Sequence, residues 1–219
     1  MDGRIIHTEG LTFIEPVPGG SSAWYYGLGD SHGDLYEAEE IFRDGGQVRG
    51  NDLCLIRYPE GEVYRPVPGR AGTCFGRPVF LEDQIYILNV DFQGGRIRIF
   101  RFDCTSRETG LQAELSLDAV RNCYNLMLHI EPLSLTRQGN EGMFEIIWPE
   151  RVCFEMEPHE SFFLRQGDRL YFSRWHEEGE GSDYRYWEET VIRSLRGDAI
   201  ETFPGDVRVM PNGELWYLK

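Results

Sequence analysis

Two carboxylates, four aromatic rings and a few polar side chains recur at matching places in this chain, and they are the groups with which it could do chemistry. Glu160 and Asp206 could act as acid and base on a glycosidic bond, a reaction that needs two carboxyl groups roughly 5 to 10 Å apart. Asp30 is a third acid, placed toward the other end of its strand. Trp24, Tyr25, Phe75 and Tyr124 offer flat apolar faces. With Arg77, Asn125, His159 and Arg208 beside them, they would suit a sugar or another flat, hydroxylated ligand. Cys74, Cys123 and His159 hold equivalent positions and have a donor set for zinc or copper(I). The three lie on separate repeats, however, and cysteine is ordinary core filling, so we expect neither a metal nor another cofactor. The chain has no P-loop, no HExxH helix and no dinucleotide-binding GxGxxG.

These residues are linked by an internal repeat. Five segments align without gaps: Trp24 to Tyr36, Cys74 to Tyr86, Cys123 to Leu135, His159 to Tyr171 and Pro204 to Trp216. Each has an apolar run, a turn and a final aromatic or leucine. The turn column reads Gly33, Asp83, Pro132, Asp168 and Gly213, which describes a β-hairpin. The third copy is the weakest, because Ser134 interrupts its apolar column. Two further strand-like runs follow each of the first four hairpins, among them Leu53 to Tyr58, Val63 to Val67, Arg96 to Phe102, Leu111 to Leu117, Met143 to Trp148, Val152 to Met156, Tyr184 to Arg193 and Ala199 to Phe203. Arg96 to Phe102 mostly alternates polar and apolar residues, as a half-buried strand does.

Four strands per unit make a propeller blade. The expected fold is all-β: a five-bladed β-propeller with four antiparallel strands per blade, formed by residues 1–219 as one domain. The fifth unit ends after two strands. Arg4 to Thr8 and Leu11 to Val17 are expected to complete it, since one blade cannot bury both of its faces. No helix is expected, and only Leu117 to Asn122 has helical leanings. His176 to Asp183 is read as a solvated acidic loop.

On this repeat pattern the chain resembles five-bladed propellers as an architectural class. Tachylectin-like lectins are of similar size, and the resemblance implies sugar binding between blades. Five-bladed glycoside hydrolases are similar in layout, and they imply acids on inner strands around a central pocket. Here Glu160 and Asp206 match and no third acid completes the set at the same mouth. The expected function is therefore a binding propeller without catalysis. Its site would lie at the channel mouth and take a small molecule such as a sugar, or a protein. The alternative is a hydrolase-like enzyme acting on a sugar.

Composition sets the outer bounds. The net charge of −15 over 219 residues disfavours nucleic acid and anionic membranes as partners. The start Met1-Asp2-Gly3-Arg4 lacks an apolar export segment, and five cysteines without a CxxC pair fit reduced thiols. A soluble, cytoplasmic protein is the expectation.

Overall fold

The computed structural model describes residues 3–19, 22–29, 33–210 and 213–218. Strand accounts for 50% of the chain and helix for 7%, which makes the fold all-β. Asp30 and Asn212 lie outside the described residues. The chain divides into two compact units, Met1–Ile130 and Glu131–Lys219.

Among the described residues the first unit holds two sheets. One runs in the order β1 (Glu15–Pro16), β2 (Trp24–Leu28), β3 (Leu53–Arg57) and β4 (Glu62–Tyr64). Pro66 and Pro68 follow β4, and proline has no N–H to give a ladder, so the strand ends short of the expected Val67. The other sheet contains β5 (Thr73–Phe75), β6 (Val79–Leu81), β7 (Gln84–Asp91), β8 (Arg96–Asp103) and β9 (Thr109–Ser116). β5 and β6 lie end to end along β7, with β8 and β9 beyond. β6 and β7 meet through Glu82 and Asp83, both at positive φ (50° and 58°), the backbone of a two-residue type I′ turn. Apolar side chains from both sheets interlock between them: Trp24, Leu53 and Leu55 from one, Phe75, Ile85, Ile87 and Phe102 from the other. Each such side chain contributes about 1.5–3 kcal/mol by leaving water. A short strand, β10 (Met127–His129), ends this unit's sequence.

The first unit also corrects two expectations. Trp24 to Tyr36 is not a hairpin: after β2 the chain enters a helix, α1 (Leu35–Arg43). Asp34 accepts from the N–H groups of Tyr36 and Glu37, and Glu37 reaches back to the N–H of Asp34, which closes a capping box. Nine residues make a marginal helix alone. Here Leu35 and Ala38 are buried, and the buried Glu39 carboxylate accepts from the Cys123 N–H at 2.5 Å and pairs with Arg43 at 2.6 Å. The second correction concerns the head of the chain. Glu15–Pro16 pairs with β2 at the edge of the first sheet, and Arg4 to Thr8 forms no strand. The hairpin column had set Trp24 to open a blade, so the strand before it went to the wrong sheet.

In the second unit, β11 (Ser134–Gln138), β12 (Met143–Trp148) and β13 (Val152–Glu155) pair in order. Next comes a four-stranded sheet of β14 (Glu160–Gln166), β15 (Arg169–Glu178), β16 (Arg185–Ser194) and β17 (Ala199–Pro204). Gly167 at φ 58° and Asp168 make the tight turn between β14 and β15. Phe144, Ile146 and Phe154 pack against Phe162, Leu170 and Phe172. The last sheet, β18 (Asp206–Val209) with β19 (Leu215–Leu218), has two strands, and among the described residues no strand from the chain's head joins it. The expected solvated loop begins late, since His176, Glu177 and Glu178 continue β15 in register with Trp187, Tyr186 and Arg185.

Candidate functional site

One face of β7 carries Ile85, Ile87, Asn89 and Asp91, and directly opposite on β8 stand Phe102, Phe100, Arg98 and Arg96. Ile85, Ile87 and Phe102 belong to the core with Phe100 packed against it. At the third pair the same face turns polar. Thr73 of β5 stands opposite Asp91. Where apolar packing stops, a cavity of about 480 Å³ opens, with Thr73, Asn89, Asp91 and Arg98 on its polar side and Phe100 and Leu111 on its apolar side. Pro66, Val67 and Pro68, just after β4, form another wall. This volume and mixed lining are those of a small-molecule site.

The polar groups are fixed in place. Asp91 Oδ2 accepts from Arg98 Nη1 at 3.1 Å, and its Oδ1 accepts from the Gly94 N–H at 2.7 Å. Arg98 Nε donates to Glu114 Oε2 at 2.8 Å. The hydrogen bond to Glu114, then that to Asp91, holds the Arg98 guanidinium above its ordinary pKa against the opposing effect of burial. The Thr73 hydroxyl donates to the Arg70 carbonyl at 2.9 Å. Carboxylate and guanidinium side by side can accept from one hydroxyl of a diol and donate to the next, with Phe100 as a flat neighbour.

The residues expected at a common mouth are distributed differently. Trp24 is buried in the core, 5.6 Å from both Tyr64 and Phe102, with Arg57 and Arg107 over its ring. Phe75 is buried in the same core. Both side chains fill the space between sheets, so neither presents a ring to a ligand. Tyr25 lines a second, largely apolar cleft of about 380 Å³ with Ile6, Ile14, Ile56 and Tyr58. Arg77 is exposed and pairs with Glu15 at 3.1 Å, and Glu15 also accepts from Tyr26. Burial first, then that bond to Glu15, pushes the Tyr26 hydroxyl up to about 12. Tyr124 meets Tyr36 edge-on at 5.2 Å, and Asn125 is exposed at φ 46°. Cys74 is buried, which pushes its thiol up to about 11. All five cysteines are free, and among the described residues no group of three possible metal ligands gathers.

In the second unit the carboxylates proposed for catalysis are committed elsewhere. The Glu160 side chain is fully buried and receives two bonds from Arg193, at 2.8 and 3.1 Å. Arg174 stands 3.8 Å from Glu160 and also grips Glu189, which His176 meets at 2.8 Å. Burial works to raise the Glu189 carboxyl, but His176 and Arg174 outweigh it and leave it below its ordinary value. Asp206 pairs with Arg208 at 2.7 Å and caps the Val207 N–H. Arginine thus holds both carboxylates. His159 stacks on Trp175 with centroids 3.8 Å apart and rings within 1° of parallel.

Sequence reasoning missed Thr73, Asn89, Asp91 and Arg98. Asn89 was visible as a polar residue in the apolar run Ile85 to Val90. It also took the chain to lack G-x-S-x-G, which is wrong: Gly29-Asp30-Ser31-His32-Gly33 matches that pattern in the sequence between β2 and α1. Asp30, Ser31 and His32 lie outside the described residues. Among the described residues, no helix is long and apolar enough to cross a membrane. No protein-family model and no curated protein matches the chain.

Proposed function

We propose that the protein is a non-catalytic binding module, built as a five-bladed propeller, whose first unit takes a small hydroxylated molecule such as a sugar in the cavity beside Asp91 and Arg98. Five antiparallel sheets following one another along the chain support the five blades. The observation that carries the function is the held Asp91–Arg98 pair, with Phe100 beside it, in the lining of a cavity of about 480 Å³. The strong net negative charge favours a neutral ligand over an anionic one. A cytoplasmic setting belongs to the same reading.

Hydrolysis draws no support from Glu160 and Asp206, since each carboxylate is held by arginine. Calorimetric titration with a panel of neutral monosaccharides and small polyols tests the binding. We expect one class to bind, and Asp91→Ala and Arg98→Ala each to weaken it at least tenfold. Silence across the panel, or undiminished binding by Asp91→Ala, would remove the site. Covalent labelling of Ser31 by a fluorophosphonate would contradict the non-catalytic reading.

A further inference from the structure

The second unit carries a feature unrelated to that cavity. β14 begins at Glu160, opposite Arg174, and β17 ends at Pro204, opposite Glu189. β15 and β16 run on together for four more pairs: Trp175 with Glu188, His176 with Trp187, Glu177 with Tyr186 and Glu178 with Arg185. At about 3.4 Å per residue this two-stranded ribbon projects roughly 13 Å. Such a ribbon is marginal in water by itself. Its base is anchored by the Arg174–Glu189 pair and by the parallel stack of His159 on Trp175. His159 holds φ at 67°, a left-handed backbone that an L residue rarely adopts, so the chain bends unfavourably at the residue whose ring supports the tryptophan.

The ribbon's two faces differ in charge. Opposed residues share a face, so Arg174 with Glu189, His176 with Trp187 and Glu178 with Arg185 lie on one side, where both signs occur. The other side presents Trp175, Glu177, Tyr186 and Glu188, with the Tyr184 hydroxyl donating to Glu177 at 3.1 Å and that of Tyr186 to Glu188. Trp175, Tyr184 and Tyr186 are 36%, 51% and 53% exposed. This face combines aromatic rings and carboxylates with no arginine among them. The tyrosine hydroxyls already donate to the carboxylates, which leaves π-faces and anionic oxygens for a partner. Both attract cations.

We propose that this face docks an extended arginine- or lysine-rich segment of a partner protein, its cationic groups over Trp175 and Tyr186 and against Glu177 and Glu188. Exposed tryptophan and tyrosine are the residues that dominate binding energy at protein interfaces. A second copy of the chain would bring like charge to like, and nucleic acid would meet the carboxylates with its phosphates.

Fluorescence anisotropy with a labelled nona-arginine peptide at 0.15 M salt tests the proposal on the full chain. The variants are Trp175→Ala with Tyr186→Ala, Tyr186→Ala alone in case the pair disturbs folding, Glu177→Gln with Glu188→Gln, and a control that neutralises the exposed Glu155 and Glu201. We expect binding at least tenfold weaker for the aromatic pair and for the Glu177/Glu188 pair, about threefold weaker for Tyr186→Ala, and less than twofold changed for the control. A control that loses as much as the ribbon variants would mean diffuse charge attraction and would overturn the proposal. So would unchanged binding by Tyr186→Ala in a protein with wild-type circular dichroism. A dimer in sedimentation velocity that disappears on Tyr186→Ala would assign the face to self-association instead.

Discussion

The β5–β9 sheet of the first unit and the β14–β17 sheet of the second present the same kind of face and finish it in opposite ways. In the first, the pairs Ile85–Phe102 and Ile87–Phe100 give way to Asn89–Arg98 and Asp91–Arg96. In the second, Leu170–Arg193 and Phe172–Val191 give way to Arg174–Glu189 and His176–Trp187. The strand opposite ends the first face with Phe75 and Thr73, and the second with Glu160. In the first, Asp91 and Arg98 pair beside Thr73 and Asn89, and a cavity of about 480 Å³ remains in front of them. Long charged side chains in the second reach one another and close into a network of Arg193, Glu160, Arg174, Glu189 and His176. Both faces end in paired charges, so polar character at the end of a core face does not by itself make a binding site: open space must also remain in front of the pair.

The largest effect that can break this comparison is Glu160→Ala. It strands Arg193, whose side chain is 8% exposed, without its carboxylate. Losing one partner of a buried pair costs about 3–5 kcal/mol, and urea denaturation should show a loss of that size. Asn89→Ala, at the open end of the other face, should cost about 1 kcal/mol, the scale of one hydrogen bond. Equal losses at the two sites would end the contrast.

A middle-sized effect separates the units by their local elements. The capped helix belongs to the first unit, and Asp34→Ala should cost about 1 kcal/mol there. Hydrogen exchange should report faster opening for the amides of Leu35–Arg43 and unchanged protection in β14–β17.

Much of this was legible in sequence. The spans of β8 and β12, the Gly167–Asp168 turn and the partnership of β15 with β16 follow from alternation and turn chemistry, which are local. The helix was missed because Tyr36 fitted a repeat column well enough to mask the Asp34-x-x-Glu37 capping box. The ribbon was read as a loop because Glu177 and Glu178 look like solvated charge, and only cross-strand pairing brings Tyr186 and Trp187 beside them. The cavity was out of reach for a similar reason. Asn89 is conspicuous in its apolar run, yet the space in front of it depends on where Pro66 to Pro68 pass, which is a tertiary fact.

The smallest expected effect concerns pH. Glu189 has a folded-state pKa below its ordinary value, so it contributes stability above the unfolded glutamate range, near pH 4.3. That contribution is lost as pH falls through the depressed value. The Arg174 guanidinium and the His176 ring face it. Acid titration of the wild type should loosen the His176–Trp187 stack, seen as a change in tryptophan fluorescence below the carboxylate range, and Glu189→Gln should flatten that change. The Asn89–Asp91 end should show no matching step tied to Glu189.

Mapping amide chemical shifts by NMR while titrating the best-binding neutral sugar tests the central claim most directly. The account predicts shifts at Thr73, Asn89, Asp91, Arg98 and Phe100, with Glu160, Arg174 and Glu189 unmoved. Shifts centred on Glu160, Arg174 and Glu189, with the first unit silent, would contradict it.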